Sequence, residues 1–174
     1  KVGTFTTGLV PLPAENVDTD QIVPARYLKV IDKAGLADAL FHDWRFEADG
    51  TKKNPPFVID EPRYAGHGIL VAGDNFGTGS SREHAVWALY DYGFRCVVSS
   101  FFADIFKNNC LNIGVLPVTV SPEFADLLFT AIAADPNTAV EVNLPQQTIT
   151  LLATGASESF DINEYKKDNM QHVF

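Results

Sequence analysis

Short apolar runs bounded by turn-forming residues predict a series of β-strands along this chain. Before residue 121 these runs are Phe57–Ile59, Gly68–Ala72, Phe94–Ser99 and Ile113–Val120. Further on, apolar and polar residues alternate in two segments, Thr138–Leu144 and Thr148–Leu152, which are separated by Pro145-Gln146-Gln147. Two alternating segments with a turn between them are typical of a β-hairpin.

Segments with helical periodicity lie between most of these apolar runs. The predicted helices are Ser81–Tyr92, Phe101–Asn109, Pro122–Ala134 and a short C-terminal helix after Ile162. Gly93 supplies a C-terminal stop for the first helix. Ser121 precedes Pro122 and Glu123, which is the order of an N-cap serine, a first-turn proline and an early acid.

The order of these elements predicts an α/β fold. Strands and helices alternate between residues 68 and 134, which favours parallel βαβ units with right-handed crossovers. The β-rich ends favour a three-layer β/β/α arrangement over a plain doubly wound sheet. A length of 174 residues is typical of one domain, so residues 1–174 are expected to form one. Residues 27–53 form a long connection with partial helical periodicity only around Leu36–Phe41, and such connections are usually functional or disordered.

Charge and hydropathy exclude several classes of partner. The formal net charge is −9, from 22 acidic and 13 basic residues, and the basic residues form only pairs such as Lys52-Lys53. Nucleic acid and anionic membrane surfaces are therefore not expected partners. The sequence contains no apolar run of the roughly eighteen residues that span a bilayer. Residues 1–5 lack the apolar core of a signal peptide, so a cytoplasmic location is expected.

Cysteine and histidine positions argue against a metal site on this chain. Cys96 and Cys110 are predicted to be buried thiols in a reducing compartment, with a disulfide as the alternative. Two cysteines at this spacing are too few to hold an iron–sulfur cluster alone. The histidines, which lack the paired spacing of zinc ligands, are His42, His67, His84 and His172.

Candidate chemistry is concentrated just after the predicted strand Gly68–Ala72. The loop that follows contains Gly73, Gly77 and Gly79, which permit positive φ angles. Ser80 and Glu83 have the spacing of a capping box, which predicts a helix start at Ser80 or Ser81. A helix N-terminus attracts anions, and the guanidinium of Arg82 can hold a carboxylate through two hydrogen bonds.

This loop has two alternative interpretations. The segment 77–82 lacks both the lysine of a P-loop and the Gly-x-Gly-x-x-Gly of a dinucleotide loop, so nucleotide binding is disfavoured. A simple capped helix with solvated Arg82 and Glu83 is the structural alternative, because capping boxes are common.

Four ordered segments resemble motifs in the swivelling domain of aconitase-type hydro-lyases, in the isopropylmalate dehydratase branch. They are Asn16–Lys29, Gly79–Ala85, Ser99–Asn109 and Gly114–Val118. The resemblance extends from about Phe5 to about Ile162 and implies the three-layer β/β/α swivelling fold. It also implies a hydro-lyase of leucine biosynthesis that interconverts 2- and 3-isopropylmalate, both small dicarboxylic hydroxy acids, through 2-isopropylmaleate.

The resemblance implies roles for individual residues. Ser80 is expected to act as the catalytic base. Ser81 and Arg82 are expected to bind a substrate carboxylate together with the backbone around Gly79, and Arg26 is expected to bind a carboxylate as well. The alternative for Arg26 is a solvated arginine.

Further residues are expected to support these catalytic and carboxylate-binding residues or to select the substrate side chain. Asp20 is expected to orient Arg82 or Ser80 as a buried partner, with an Asx-turn at Asp18-Thr19-Asp20 as the alternative. Glu83 is expected to cap the helix, and His84 to hydrogen-bond in its first turn. Residues 27–53 are expected to form a mobile loop that closes over the substrate, with a surface excursion as the alternative. The stretch expected to choose the substrate side chain comprises Tyr27, Leu28, Lys29 and Val30.

The expected reaction requires more than this chain supplies. Hydroxide is a poor leaving group and needs a Lewis acid. The resemblance places a [4Fe–4S] cluster on a separate large subunit, with which this chain would form a heterodimer or heterotetramer. No cofactor is expected on this chain itself. Two alternatives remain open, namely the same type of subunit acting on homoaconitate or a methylmalate, and an anion-binding module without chemistry.

Overall fold

A computed structural model describes residues 3–29, 36–80 and 82–172 of the chain, without the side chain of His172. Its strands are β1 Thr4–Leu12, β2 Ile69–Ala72, β3 Cys96–Ser99, β4 Leu116–Thr119, β5 Ala139–Asn143, β6 Thr148–Leu151 and β7 Ser157–Ser159. Its α-helices are α1 Thr19–Ile22, α2 His42–Arg45, α3 Glu83–Tyr92, α4 Asp104–Ile113, α5 Pro122–Ala134 and α6 Glu164–His172. Four short 3₁₀ helices lie at Ala25–Tyr27, Leu36–Asp38, Val58–Asp60 and Pro62–Tyr64.

The strands form one sheet in the order β4-β3-β2-β1-β5-β6-β7. Strand β1 belongs to two parts of this sheet. Its second half, Leu9–Leu12, pairs in parallel with β2, whereas its first half, Thr4–Gly8, pairs antiparallel with β5. Strands β1 to β4 are parallel and β5 to β7 are antiparallel, which confirms the predicted fold class with βαβ units in its centre.

Burial explains why the two parts of the sheet differ in sequence. All four residues of β2 and of β3 are buried, as expected for strands covered on both faces. In β5 and β6, buried positions alternate with half-buried ones, so the predicted hairpin is confirmed with one face directed to the core. The buried apolar side chains of both parts form one cluster.

Two helices begin or end where residues at their termini predict. Helix α5 begins at Pro122 and ends at Ala134, and the Ser121 hydroxyl accepts a hydrogen bond from the backbone N–H of Phe124 at 3.1 Å. Gly93 ends α3 with a φ of +124°. No helix in the described part of the chain combines the length and the apolarity that crossing a bilayer requires.

Several boundaries differ from the sequence prediction. The predicted start of α3 at Ser80 or Ser81 is wrong, because Arg82 occupies the N-cap position in an extended conformation and its own side chain makes no capping hydrogen bond. Phe57–Ile59 is not a strand, since the chain forms a 3₁₀ turn over Val58–Asp60. Strands β1 and β7 were not predicted.

The second half of the long connection is anchored in the body. Leu36, Leu40 and Phe41 are buried. Arg45 is 3% exposed, and it donates from Nε and Nη2 to the Asp60 carboxylate at 2.9 and 3.0 Å. Its Nη1 also donates to two backbone carbonyls, so this buried cation is well satisfied. The mobile loop over 27–53 stays a prediction, and residues 30–35, including Val30, lie outside the described residues.

The glycine loop between β2 and α3 packs tightly against Phe106 of α4. Gly77 has a φ of +85°, and a Cβ there would lie 2.2 Å from Cγ of Phe106. Gly66 has nearly the same φ, +81°, but a Cβ there would meet no atom within 4 Å. The two positions therefore separate backbone strain from steric overlap.

We expect Gly77→Ala to lower the free energy of unfolding by about 3 kcal/mol or more, because left-handed backbone strain and overpacking add. Gly66→Ala should lower it by only about 1–2 kcal/mol, from backbone strain alone. Urea unfolding of both variants checks this. Equal losses in the two variants would show that Phe106 moves aside freely.

Candidate functional site

The candidate site forms where two distant segments, 16–26 and 73–82, meet. The backbone N–H of Gly77 donates to the Val17 carbonyl at 2.8 Å, and that of Thr19 donates to the Thr78 carbonyl at 2.9 Å. The Thr19 hydroxyl donates to the backbone carbonyl of Ser80 at 2.9 Å. These contacts fix the end of the glycine loop against the first motif.

The first motif holds its own shape through a capping box. The Asp18 carboxylate accepts from the backbone N–H of Gln21 at 2.8 Å, and the Gln21 side chain accepts from the backbone N–H of Asp18 at 3.0 Å. Helix α1 therefore starts sharply at Thr19 and turns Asp20 toward the glycine loop. Gly79 has a φ of +91° and passes close to Asp18, which brings Ser80 to the edge of the motif.

Arg82 is held by Asp20 across this junction. Its Nη1 donates to Asp20 Oδ1 at 2.9 Å and lies 3.4 Å from the Val23 carbonyl. The Arg82 side chain is 17% exposed, and Asp20 Oδ1 also accepts from the backbone N–H of Ala25 at 2.9 Å. The Arg82 hydrogen bond, followed by that from Ala25, lowers the pKa of the Asp20 carboxyl. This is the contact that the predicted orienting role requires, but the expectation of a buried partner is wrong, because the Asp20 side chain is 62% exposed.

Other predicted site residues surround this pair. Gly79 and Ser80 are exposed, and the Ser80 carbonyl is fixed while its side chain faces solvent. Ser81 lies outside the described residues. Glu83 is exposed as the first residue of α3 and does not cap it, which corrects that prediction. His84 is half-buried in the first turn.

Arg26 forms a second pair of the same kind, with Asp43. Arg26 Nη2 donates to Asp43 Oδ1 at 2.5 Å, and Nη1 lies 3.4 Å from Oδ2. Hydrogen bonding between them lowers the pKa of Asp43 and raises that of Arg26. The charge of Asp43 also opposes ionisation of Asp20, so the two pairs are electrostatic neighbours.

Comparison with known proteins decides the family. A model of the aconitase C-terminal domain matches residues 4–123, and a model described as LeuD_N matches residues 126–164. The chain is 56% identical over 164 residues to the 3-isopropylmalate dehydratase small subunit of Christiangramia forsetii, covering 94% of this chain and 79% of that protein. The chain belongs to the family of 3-isopropylmalate dehydratase small subunits.

Two further comparisons are consistent with this family. The small subunit of a Roseiflexus species is 51% identical over 171 residues, which cover 98% of this chain and 83% of that protein. A crystal structure of 3-isopropylmalate dehydratase from Methanocaldococcus jannaschii matches with a TM-score of 0.71 at 24% identity, over 97% of this chain and 88% of that one. The latter similarity shows the shared fold.

In this member of the small-subunit family, a cavity of about 300 Å³ adjoins Arg26 and is lined also by Tyr27, His42, Asp43 and Phe46. The Tyr27 hydroxyl lies 3.1 Å from Nε2 of His42, whose Nδ1 lies 2.9 Å from a backbone carbonyl. Because a carbonyl can only accept, Nδ1 of His42 carries a proton, and in the tautomer protonated only there Nε2 accepts from the Tyr27 hydroxyl. The remaining described residues of the predicted selecting stretch are Leu28, half-buried, and Lys29, exposed.

Sequence reasoning assigned no role to Asp43 or His42. Both lie in the long connection, and their partners are 17 and 15 residues away. No local pattern links them to Arg26 or Tyr27. The only available signal was that polar residues were unusually dense in a connection without strong periodicity.

The two cysteines do not fit an iron–sulfur cluster. Cys96 and Cys110 are free thiols in the core, and burial raises the pKa of both, which disfavours the thiolate that binds iron. Within residues 3–29, 36–80 and 82–172, no three His, Cys, Asp or Glu side chains are grouped to hold a metal ion.

The Asp20–Arg82 contact can be measured through the titration of Asp20. We expect the pKa of Asp20 to lie below the usual value of about 3.9 and to rise toward it in Arg82→Gln. Because the folded pKa is the lower one, the pair's contribution to stability is present above about pH 4 and is lost as pH falls through the folded pKa. Carboxyl NMR titration checks this.

Arg63→Gln is the matched control for that titration, because it removes an arginine that pairs with Glu61 instead. It should leave the Asp20 titration unchanged. An Asp20 pKa that stays the same without Arg82 would show that the contact does not persist in solution.

Proposed function

We propose that this chain is the small subunit of a 3-isopropylmalate dehydratase and acts along its whole length as one swivelling domain. The proposed reaction interconverts 2- and 3-isopropylmalate through 2-isopropylmaleate. The observation that carries the proposal is an exposed Ser80 beside an Arg82 held by Asp20, in a chain 56% identical to a small subunit of this name.

The reaction has two difficult steps. A proton bound to carbon next to a carboxylate must be removed, and hydroxide must leave the neighbouring carbon. The two losses together release one water and form the carbon–carbon double bond of 2-isopropylmaleate. Adding water back with the opposite orientation gives the other isomer. Proton removal places negative charge on a carboxylate, which must be stabilised by donors aimed at its oxygens.

Ser80 is proposed to take the proton through Oγ. A neutral serine hydroxyl is far too weak a base, so the reacting form is the alkoxide. The positive end of the α3 dipole and the nearby Arg82 charge favour that anion. Once a substrate and a second protein exclude water, both effects become stronger because the local dielectric constant falls.

Arg82 is proposed to bind a substrate carboxylate. Its described hydrogen bonds all use Nη1, to Asp20 and the Val23 carbonyl. Among the described residues, Nε and Nη2 take no partner, so one edge of the guanidinium can make two parallel bonds to a carboxylate. Ser81 and the backbone at Gly79 are proposed to contribute further donors to the same carboxylate.

Arg26 is proposed to bind the second carboxylate of the substrate. It is 56% exposed and points into the cavity that Tyr27 also lines, but it is paired with Asp43. A substrate carboxylate would share this arginine with Asp43 or replace it. Tyr27, Leu28, Lys29 and Val30 are proposed to select the substrate side chain, as part of a mobile loop over 27–53.

The Lewis acid is proposed to lie on a partner. A [4Fe–4S] cluster on the large subunit would assist the departure of hydroxide, and this chain would complete the site across the interface in a heterodimer or heterotetramer. We propose that the enzyme acts in the cytoplasm. Asp20 would keep its charge at neutral pH and hold Arg82 in place throughout.

Reconstitution with the large subunit from the same organism tests the function. The pair should convert 2-isopropylmalate much faster than homoaconitate or a methylmalate, whereas the small subunit alone should convert none of them. Absorbance of the unsaturated intermediate provides the assay. If the pair turns over another acid faster, the proposed subunit type would stand and the proposed substrate would be wrong. Binding without turnover of any acid would support a non-catalytic anion-binding module.

Ser80→Ala should lower kcat of the reconstituted pair by about a hundred- to ten-thousandfold, the usual contribution of a positioned acid–base group. KM should change little, because Arg82 and its neighbours still bind the substrate. Ser159→Ala, an equally exposed serine on β7, should have no effect on kcat. Near-normal turnover by Ser80→Ala would show that Ser80 is not the base.

A further inference from the structure

The first turn of α4 and the segment just before it expose two large apolar side chains to solvent. Phe101 is 54% exposed and Ile105 is 57% exposed. Three other large apolar residues in the described part of the chain are also exposed, but they are scattered on α5, after β6 and on α6: Leu127, Leu152 and Tyr165. Single exposed apolar residues are ordinary on protein surfaces, whereas two within five residues need an explanation.

This surface, formed by Phe101 and Ile105, is tied directly to the glycine loop. The Phe76 backbone N–H donates to the Phe101 carbonyl at 3.0 Å, and the Ala103 N–H donates to the Phe76 carbonyl at 3.1 Å. The ring of Phe76 also packs edge-to-face on Phe106, with centroids 5.3 Å apart. The segment just before α4 is therefore hydrogen-bonded directly to the loop that carries Ser80.

The distance to the candidate base is short. Phe76 and Ser80 are four positions apart, which limits the distance between them to about 14 Å for a fully extended chain. The loop is not extended, because it turns at Gly77 and Gly79. A standard interface covers about 800 Å² on each partner, which equals a disc of roughly 16 Å radius. This radius exceeds the largest possible separation of Ser80 and Phe76, whose backbone is hydrogen-bonded to Phe101 and Ala103 just before α4.

We infer that Phe101 and Ile105 are anchor residues for docking of the cluster-bearing large subunit. The inference rests on the proposed function, in which a second protein must cover Ser80 to complete the site. Aromatic and aliphatic anchors beside a site that must exclude water are typical of interface centres. The other end of α4 has a contact within the chain, where Lys166 donates to Asn112.

Direct binding measurements test this surface. Sedimentation of the wild-type small subunit with the large subunit of the same organism gives the reference Kd. The double variant Phe101→Ser, Ile105→Ser should raise that Kd at least about tenfold, the usual effect of truncating an interface anchor. At saturating concentrations of variant subunit, kcat should stay within about twofold of wild type, because neither side chain is proposed to touch the substrate.

Leu127→Ser with Leu152→Ser is the matched control, since it removes two exposed leucines elsewhere. It should leave Kd unchanged. Thermal unfolding should show that both double variants fold, and the milder Phe101→Ala should still raise Kd measurably. An unchanged Kd in the first double variant overturns the inference, as does self-association of the wild-type chain that the variant abolishes without affecting large-subunit binding.

The same measurements separate this inference from the proposed function. If the wild-type pair binds through this surface but turns over no hydroxy acid, the function fails and the docking surface stands. If the pair is active and the double variant binds as wild type does, the function stands and the surface fails. If the wild-type subunits do not bind each other, the docking inference is wrong.

Discussion

The ion pair between Asp20 and Arg82 is the contact on which the candidate site depends. The two residues are 62 positions apart, and they meet only because α1 packs against the end of the glycine loop. The pair itself is worth little in folding energy, because the Asp20 carboxylate is well exposed to solvent. Its importance is geometric, since it fixes one side of the guanidinium and leaves Nε and Nη2 without a partner among the described residues.

This arrangement carries an electrostatic cost. In the proposed function a chain with a net charge of −9 must attract a dicarboxylate, yet Asp20 and Asp43 each cancel much of the charge of the arginine with which they pair. The protein thus gives up local positive potential to gain a fixed direction for each guanidinium. Backbone N–H groups at the start of α3 restore part of that potential without adding a mobile charge. Orientation and attraction are therefore supplied by different groups.

Features set by neighbouring residues could be predicted from the sequence, and the clearest case is α5. Ser121 and Pro122 fix its start through contacts within one turn. The loop before α3 shows the limit of such reasoning, because Ser80 and Glu83 match a capping box. The Ser80 carbonyl is instead bound by Thr19, and the helix begins later, at Glu83. A long-range contact has displaced a local preference.

Strand β1 was missed for a related reason. Gly8 and Pro11 interrupt its apolar pattern, and both residues normally weaken a strand. Their positions make sense only in three dimensions: a Cβ at Gly8 would overlap the ring of His67, and β1 changes partner from β5 to β2 immediately after Gly8. The Arg26–Asp43 pair could not be predicted from the sequence for the same reason, because no local sequence pattern links the two residues.

The packing beneath the glycine loop connects the proposed chemistry to the proposed docking surface. Gly77 lies so close to Phe106 that no side chain fits between them, and Phe106 belongs to the same helix as Ile105. A protein bound at the start of α4 would therefore bear on a rigid body that includes the backbone leading to Ser80. In this proposal the large subunit need not contact Ser80 to position it. Because close-packed interiors transmit displacement with little loss, docking and alignment of the base become one event.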